Sequence, residues 1–217
     1  MLTRPGRLGS TRARLAIRAG GLLVCLAVAA CTSGPGAPDE RPYQQQVLAF
    51  RADKDQFFRT GKDSPIPPEQ RAAFPGLAYY EVDPAARVPT YLTQERSAPA
   101  VIIELQTSGD ELRKMRKVGT LGFTFAGGTY KLTAFADAEA GNVDRLFVPF
   151  GDLTNVSETY RGGRYLELDR TPTGLYDLDF NRAYHPFCVY NVTYICPVPP
   201  AENRLSVAIH AGERLAK

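Results

Sequence analysis

Hydrophobic and polar positions alternate along most of this chain with a period of two. Leu121, Phe123 and Phe125 alternate with small or polar residues, Gly127-Gly128 follows, and Tyr130, Leu132 and Ala134 resume the alternation. Two such runs around a glycine pair predict a β-hairpin. Further short segments with strand character lie at 79–82, 88–93, 101–107, 112–118, 146–150, 164–168 and 175–180. A last one has Leu205, Val207 and Ile209 on one face and Ser206, Ala208 and His210 on the other. Nine or ten short strands at near-regular spacing predict a mainly β fold, a single β-sandwich or barrel-like domain over 43–217. The period changes at 44–59, where Val47, Phe50, Lys54 and Phe57 recur at helical spacing and Arg51 stands four residues before Asp55. That pattern predicts one N-terminal amphipathic helix, ended by Gly61 and Ser64-Pro65 and plugging an open end or edge of the sheet. Pro67-Pro68-Glu69-Gln70 predicts one more short helical turn.

The first 30 residues follow neither pattern. They hold five Arg and no acid, then an apolar run from Ala19 to Ala30. Twelve helical residues rise about 18 Å, against a hydrocarbon core of about 30 Å, so the run predicts a cleaved signal rather than a span. Val28-Ala29-Ala30-Cys31 resembles a bacterial lipobox, in which the signal is cut before a Cys that becomes acylated. The expected organisation is therefore a signal at 1–30, lipidated Cys31 with a flexible tether to residue 42, and then the domain. Palmitoylated Cys31 would anchor the chain to a membrane of the cell envelope. Thr32, which is not Asp, favours the outer membrane in a Gram-negative host.

The formal net charge of +3 belongs mostly to the signal. Without residues 1–30, 21 basic residues face 23 acidic ones, which leaves no basic face to argue for nucleic acid. The chain is 44% hydrophobic with 11 Tyr and 11 Phe, enough apolar bulk for one core without Trp. Nucleotide-loop, serine-hydrolase and zinc-protease motifs are absent, so no metal site and no cofactor is predicted. Cys188 and Cys196 are an even pair in an exported chain, and a disulfide between them would close a loop of nine residues, worth about 2–3 kcal/mol in the chain-entropy model. His185 and His210 could join them around zinc only at a spacing that fits no zinc pattern. Gly162-Gly163 implies positive φ or close approach by another segment. Around it, Glu158, Tyr160, Arg164 and Tyr165 gather acid, base and phenols. They describe either a turn stapled by Arg164 to an acid, or a pocket with Asp152 and Asp179 nearby.

Several stretches carry a family resemblance. They are Leu146-Phe147-Val148-Pro149-Phe150-Gly151-Asp152-Leu153-Thr154, Glu158-Thr159-Tyr160 with Gly163-Arg164-Tyr165-Leu166, and the run from Leu178-Asp179-Phe180-Asn181 through Tyr184-His185-Pro186-Phe187-Cys188. Cys196-Pro197-Val198-Pro199-Pro200, Asn203-Arg204-Leu205 and the closing Ala211-Gly212-Glu213 complete the pattern. Together they resemble domain-of-unknown-function family 1684. The resemblance implies no reaction and no catalytic residue. Its signature falls here on Asp152, Thr154, Glu158, Thr159, Tyr160, Arg164, Tyr165, Asp179, Asn181, Tyr184, Cys188, Cys196 and Asn203. Members usually have Asn where this chain has His185, so the resemblance does not make that imidazole a required ligand or base. Many members resemble cytosolic proteins with the same cysteine pair.

Three functional expectations stay open at this point. The first is a non-enzymatic envelope domain that binds a small molecule or an envelope protein. The second is a hydrolase-type enzyme built on Glu158, Asp179 and Arg164. The third is a purely structural lipoprotein whose polar signature is one internally paired network.

Overall fold

The computed structural model describes residues 39, 41–96, 99–141 and 143–216. The expected signal, Cys31 and the tether up to residue 38 lie outside the described residues. Nine strands are present among those described: β1 (Ala78–Tyr79), β2 (Arg87–Gln94), β3 (Ile102–Gln106), β4 (Leu112–Phe125), β5 (Gly128–Asp137), β6 (Arg145–Phe150), β7 (Arg164–Asp169), β8 (Leu175–Asp179) and β9 (Glu213–Arg214). Antiparallel pairing runs β7-β6-β5-β4-β2-β8, with β3 off this path against β4. The end strands β7 and β8 lie beside each other without a ladder, so the sheet is nearly closed into a barrel. Its interior is filled by Leu121, Phe123, Leu132, Leu146, Val148, Phe150, Leu166, Leu178 and Phe180, all buried. Each is worth about 1.5–3 kcal/mol in removed apolar surface. The mainly β, barrel-like expectation holds.

Four details differ from the sequence expectation, each for a physical reason. The segments at 112–118 and 121–125 are one strand, β4. Its first half pairs with β3 and its second with β2, and the register shifts between Lys117 and Gly119 where the partner changes. A Cβ on Gly119 would stand 2.4 Å from the Thr93 carbonyl, so glycine there marks a bulge, not a break. The alternation at 205–209 is real in burial, with Leu205 and Ile209 inside, yet it forms no strand. Its backbone is taken up elsewhere: Leu205 N–H donates to Gly151 O, Leu153 N–H to Val207 O, and Ile209 N–H to Asp152.

The helix α1 spans Tyr43–Thr60, close to the expected 44–59, and Pro68–Ala73 forms the expected second turn. Its buried stripe, however, is Val47, Arg51 and Phe58, with Lys54 between them almost covered. Phe57 points outward at 37% exposure. The expected Arg51–Asp55 pair does not form. Arg51 donates to Tyr80 O and Asn181 O, and Asp55 accepts from Leu77 N–H. Tyr43 and Gln46 of the first helical turn border the seam between β7 and β8.

The β4–β5 hairpin turns on Ala126-Gly127, one residue earlier than expected, because Phe125 pairs with Gly128. Both turn residues have positive φ, +48° at Ala126 and +78° at Gly127. A left-handed alanine costs about 1–2 kcal/mol, and this turn position favours Asn. Ala126→Asn is expected to stabilise the fold by about 0.5–1 kcal/mol, raising Tm by roughly 1–4 °C in thermal unfolding. A lowered Tm would contradict this account of the turn.

Candidate functional site

The signature residues come from two kinds of place. Asp152, Glu158, Tyr160, Arg164 and Tyr165 lie on or after β6 and at the start of β7, whereas Asp179, Asn181, Tyr184 and Asn203 belong to β8 and the irregular segment that follows it. That segment runs from Phe180 to the short β9 with only 3-10 turns, at Phe180–Arg182, Phe187–Val189 and Ala201–Asn203. Much of it is buried, so its backbone groups need partners that no ladder supplies.

Arg164 and Asp152 supply one set. Both side chains are wholly out of solvent, joined Nη2 to Oδ2 at 2.8 Å. Arg164 also donates to the carbonyls of Ile209 (2.8 Å), Glu213 (3.1 Å) and Ala211, and its guanidinium lies over the Phe150 ring. Asp152 Oδ1 accepts from Thr154 N–H, Thr154 Oγ1 and Ile209 N–H, capping the 3-10 turn Leu153–Val156. A pair this buried is tolerable only because these bonds replace its hydration. Gly163, at φ +99°, lets the chain enter β7 against Pro199, whose Cγ would be 2.6 Å from any Cβ there.

Asn203 supplies a second set. Its amide accepts from Thr133 N–H (2.7 Å) and donates to Thr133 O and Pro149 O, binding β5 to β6 as a strand's own peptide would. The β5–β6 ladder is otherwise recorded only at Phe135 and Phe147. Asp179 and Asn181 form a third set. Asp179 accepts from Tyr43 OH (2.8 Å), Asn181 N–H and Arg182 Nε, while Asn181 bonds both backbone groups of Asp83. Burial and the neighbouring Asp179 carboxylate raise the Tyr43 phenol above its ordinary pKa.

A fourth hub was not singled out from the sequence. The Glu213 carboxylate, 1% exposed, accepts from Lys54 Nζ, from His185 N–H (2.7 Å) and from Tyr190 OH (3.0 Å). Lys54 reaches it across the barrel's flank with its ammonium over the Tyr184 ring at 4.2 Å. Burial pulls the Lys54 pKa below the ordinary value, and the carboxylate opposes that shift. The sequence signals were Lys54's place on the helical stripe and the stretch Ala211-Gly212-Glu213 that closes the family pattern.

Glu158, Asp179 and Arg164 therefore answer to different partners. Glu158 is exposed, accepting from Tyr80 OH at 3.1 Å and meeting His210 Nε2 at 3.3 Å. The Tyr80 phenol is pushed up to about 12 by burial and by that carboxylate. The structure does not gather the three into an acid–base cluster. Among the described residues, no three His, Cys, Asp or Glu side chains converge as a metal-ligand set.

Tyr165 and Tyr184 do something else: they line an open cavity of about 430 Å³. Phe147, Phe187, Tyr194, Met115, Ile195 and Cys196 complete its walls, and Arg113, Arg145, Asp137 and Glu167 stand around it. The phenol hydroxyls of both tyrosines are occupied, Tyr165 on Pro197 O and Tyr184 on Glu167 Oε1 at 2.9 Å. The rings pack edge to face, Phe147 with Tyr165 at 4.8 Å and Tyr165 with Tyr184 at 5.7 Å. Beside this cavity Cys188 and Cys196 stand as neighbouring thiols, with Cys188 N–H donating to Cys196 Sγ at 3.2 Å.

His185 is 1% exposed, and its Nε2 accepts from Tyr160 N–H at 3.2 Å. That bond puts the ring proton on Nδ1 and uses the lone pair a metal or a base would need. Burial, with Arg164 and Lys54 adding repulsion, lowers the His185 pKa from 6.5 to about 3. The native state holds this imidazole neutral, whereas the unfolded chain binds a proton below about pH 6.5. Stability from this residue is thus complete above pH 6.5 and is lost as pH falls toward 3. At pH 5 the loss should reach about 2 kcal/mol. His185→Gln keeps an acceptor for Tyr160 N–H without titrating, so its Tm should fall less between pH 7 and pH 5. In the unaltered chain, NMR should show the His185 imidazole silent in that range. A His185 resonance that titrates between pH 7 and pH 5 would refute the assignment.

A family model described as a protein of unknown function (DUF1684) matches residues 72–214. The solution NMR structure of an uncharacterized protein from Haloarcula marismortui is similar at 42% identity and a TM-score of 0.63. The match covers 80% of this chain and 94% of that one. No curated protein matches. By the extent of the family match, the chain belongs to the DUF1684 family.

Proposed function

We propose that this protein is an exported lipoprotein whose β domain binds a small, largely apolar molecule without converting it. The cavity walled by Phe147, Tyr165, Tyr184, Phe187 and Tyr194 carries the reading. Its volume of about 430 Å³ falls in the range of small-molecule sites. Its aromatic walls offer ring faces to a flat ligand, and the tied hydroxyls of Tyr165 and Tyr184 leave few polar groups needing a partner. At the rim Arg113 pairs with Asp137 and Arg145 with Glu167 and Asp169, so the polar edge is balanced in charge and the apolar wall dominates the site. The envelope location rests on the basic, apolar and lipobox pattern ending in Cys31, with the outer membrane favoured in a Gram-negative host.

Anilinonaphthalene sulfonate, a flat aromatic anion, is a suitable probe for the cavity. The protein should give a saturable fluorescence increase at one site. Ile195→Asp and Tyr194→Ala, each removing wall apolar surface, should weaken binding about tenfold, or roughly 1.4 kcal/mol. Unsaturable binding, or binding indifferent to both substitutions at unchanged Tm, would overturn the cavity reading.

The anchor has its own test. Cells fed labelled palmitate should label the protein, and Cys31→Ser should abolish the label and free the chain from membranes. An unlabelled parent protein would overturn the lipoprotein reading and leave the cavity reading untouched.

A further inference from the structure

The two ends of the barrel are finished differently. At one end Phe180 packs its ring against Phe123, Phe125 and Phe150, with centroids 5.3–6.1 Å apart. The other end lies where β2 finishes and β6 and β8 begin, and it opens into a cavity of about 320 Å³. Leu92, Val118, Val143, Leu146 and Tyr176 line it. All five belong to the barrel core or pack on it, yet Leu92, Val118 and Val143 are only half-buried. Apolar side chains of the interior thus reach solvent through this mouth. Barrel mouths are favoured places for small-molecule sites, and this volume lies at the small end of their range. Apart from Leu146, the mouth shares no lining residue with the aromatic cavity.

Donors outnumber acceptors around this opening. Arg116, Lys117 and Arg170 stand there against one acid, Glu95. Lys117 Nζ lies 3.8 Å from Glu95, which offsets one of the three positive charges. Arg116 donates from Nη2 to Ala140 O at 2.9 Å, while its Nε is buried without an acceptor. Arg170 is fixed by its backbone N–H on Asp144 O at 2.8 Å, and its side chain has no hydrogen bond or ion pair among the described residues. Tyr176 is 4% exposed, and its phenol hydroxyl likewise has no partner among them. A buried donor is costly until it finds an acceptor. The buried cations Arg164 and Lys54 each meet a carboxylate of the protein itself, whereas Arg116 and Arg170 meet none. An apolar throat beneath two uncompensated guanidiniums and a phenol hydroxyl has the chemistry of a site for an amphipathic anion. Each guanidinium is a planar fork that matches a carboxylate.

We propose that the open end of the barrel binds a medium-chain carboxylate. Its tail lies on Leu92, Val118 and Val143, and its head is held by Arg116 and Arg170 with the Tyr176 hydroxyl as a further donor. The head supplies the acceptors that the protein does not, and the tail covers the half-buried side chains of the throat. The small volume excludes a long chain, and the paired guanidiniums select an acid over the corresponding alcohol. This second site is independent of the aromatic cavity and of what that cavity holds.

Octanoate titrated into the full chain by calorimetry is the probe. It should bind at one site per chain. Octan-1-ol, which lacks the charge, and acetate, which lacks the tail, should each bind at least about tenfold more weakly. Arg116→Gln and Arg170→Gln should each raise the octanoate Kd about tenfold, and Tyr176→Phe should raise it several-fold. Arg170 is exposed, so Arg170→Gln should leave Tm unchanged and separate lost binding from lost folding. Saturating octanoate should also leave anilinonaphthalene sulfonate in place in the aromatic cavity. Octan-1-ol binding as tightly as octanoate, a Kd unmoved by both arginine variants, or displacement of the dye by octanoate would overturn the proposal. So would the absence of saturable octanoate binding.

Discussion

A buried backbone without a ladder has to find its hydrogen bonds elsewhere, and in this protein side chains provide them. The segment from Phe180 to Glu213 passes through the interior as 3-10 turns and bends. An unpaired buried peptide group costs about 1–3 kcal/mol, so an irregular run of this length could not be buried unaided. Arg164 takes three of its carbonyls, Asp152 takes Ile209 N–H, Glu213 takes His185 N–H, and Asn203 reaches out to bind two strands. The barrel can leave β7 and β8 unzipped because this segment, rather than another ladder, ties its elements together.

The same constraint explains why charges lie inside at all. Neither Arg164–Asp152 nor Lys54–Glu213 would be favourable as a bare ion pair, since each ion loses several kcal/mol of hydration. Each charged group also satisfies backbone or phenol groups that would otherwise be orphaned. An apolar replacement of Arg164 and Asp152 would recover the desolvation cost and strand Ala211 O, Ile209 O, Glu213 O and Ile209 N–H. Polarity in this signature is thus first a solution to a folding problem. It needs no substrate to account for it.

How much of this was legible depended on whether the governing interaction was local. The strands and the helix follow from periodicity, since burial on one face imposes a period of two or of 3.6 regardless of tertiary detail. Errors arose where a distant partner decided the outcome. Arg51 counted as polar and as a partner for Asp55, so the helix stripe ran through Phe50 and Phe57 as well as Lys54; the heads of Lys54 and Arg51 are in fact drawn inward by Glu213, Tyr80 O and Asn181 O. The two halves of β4, 112–118 and the run from Leu121, looked like separate segments because nothing local reveals the Thr93 carbonyl pressed against Gly119 between them. The alternation at 205–209 had the burial of a strand, but Asp152 and Gly151 had claimed its peptide groups. Asp152, Arg164, Asp179, Asn181 and Asn203 stood out as residue types without any sign of which would pair. Glu213 closed a stretch of the family pattern, but a single acid near a chain end carries no sign of which groups it will meet.

The division of labour among the tyrosines separates the folding problem from the functional one. Tyr43 spends its hydroxyl on Asp179 and Asn181, and Tyr190 on Glu213, within the polar network. Tyr165 and Tyr184 also spend theirs, yet their rings stand at the cavity wall. Tying a phenol at its tip fixes the ring without occupying its face, so a hydrogen bond on one side of the wall pre-organises an apolar surface on the other. A cavity built this way loses little side-chain entropy when a flat molecule enters, because the rings are already immobile. The network that lets the irregular segment be buried is therefore also what keeps the aromatic wall rigid.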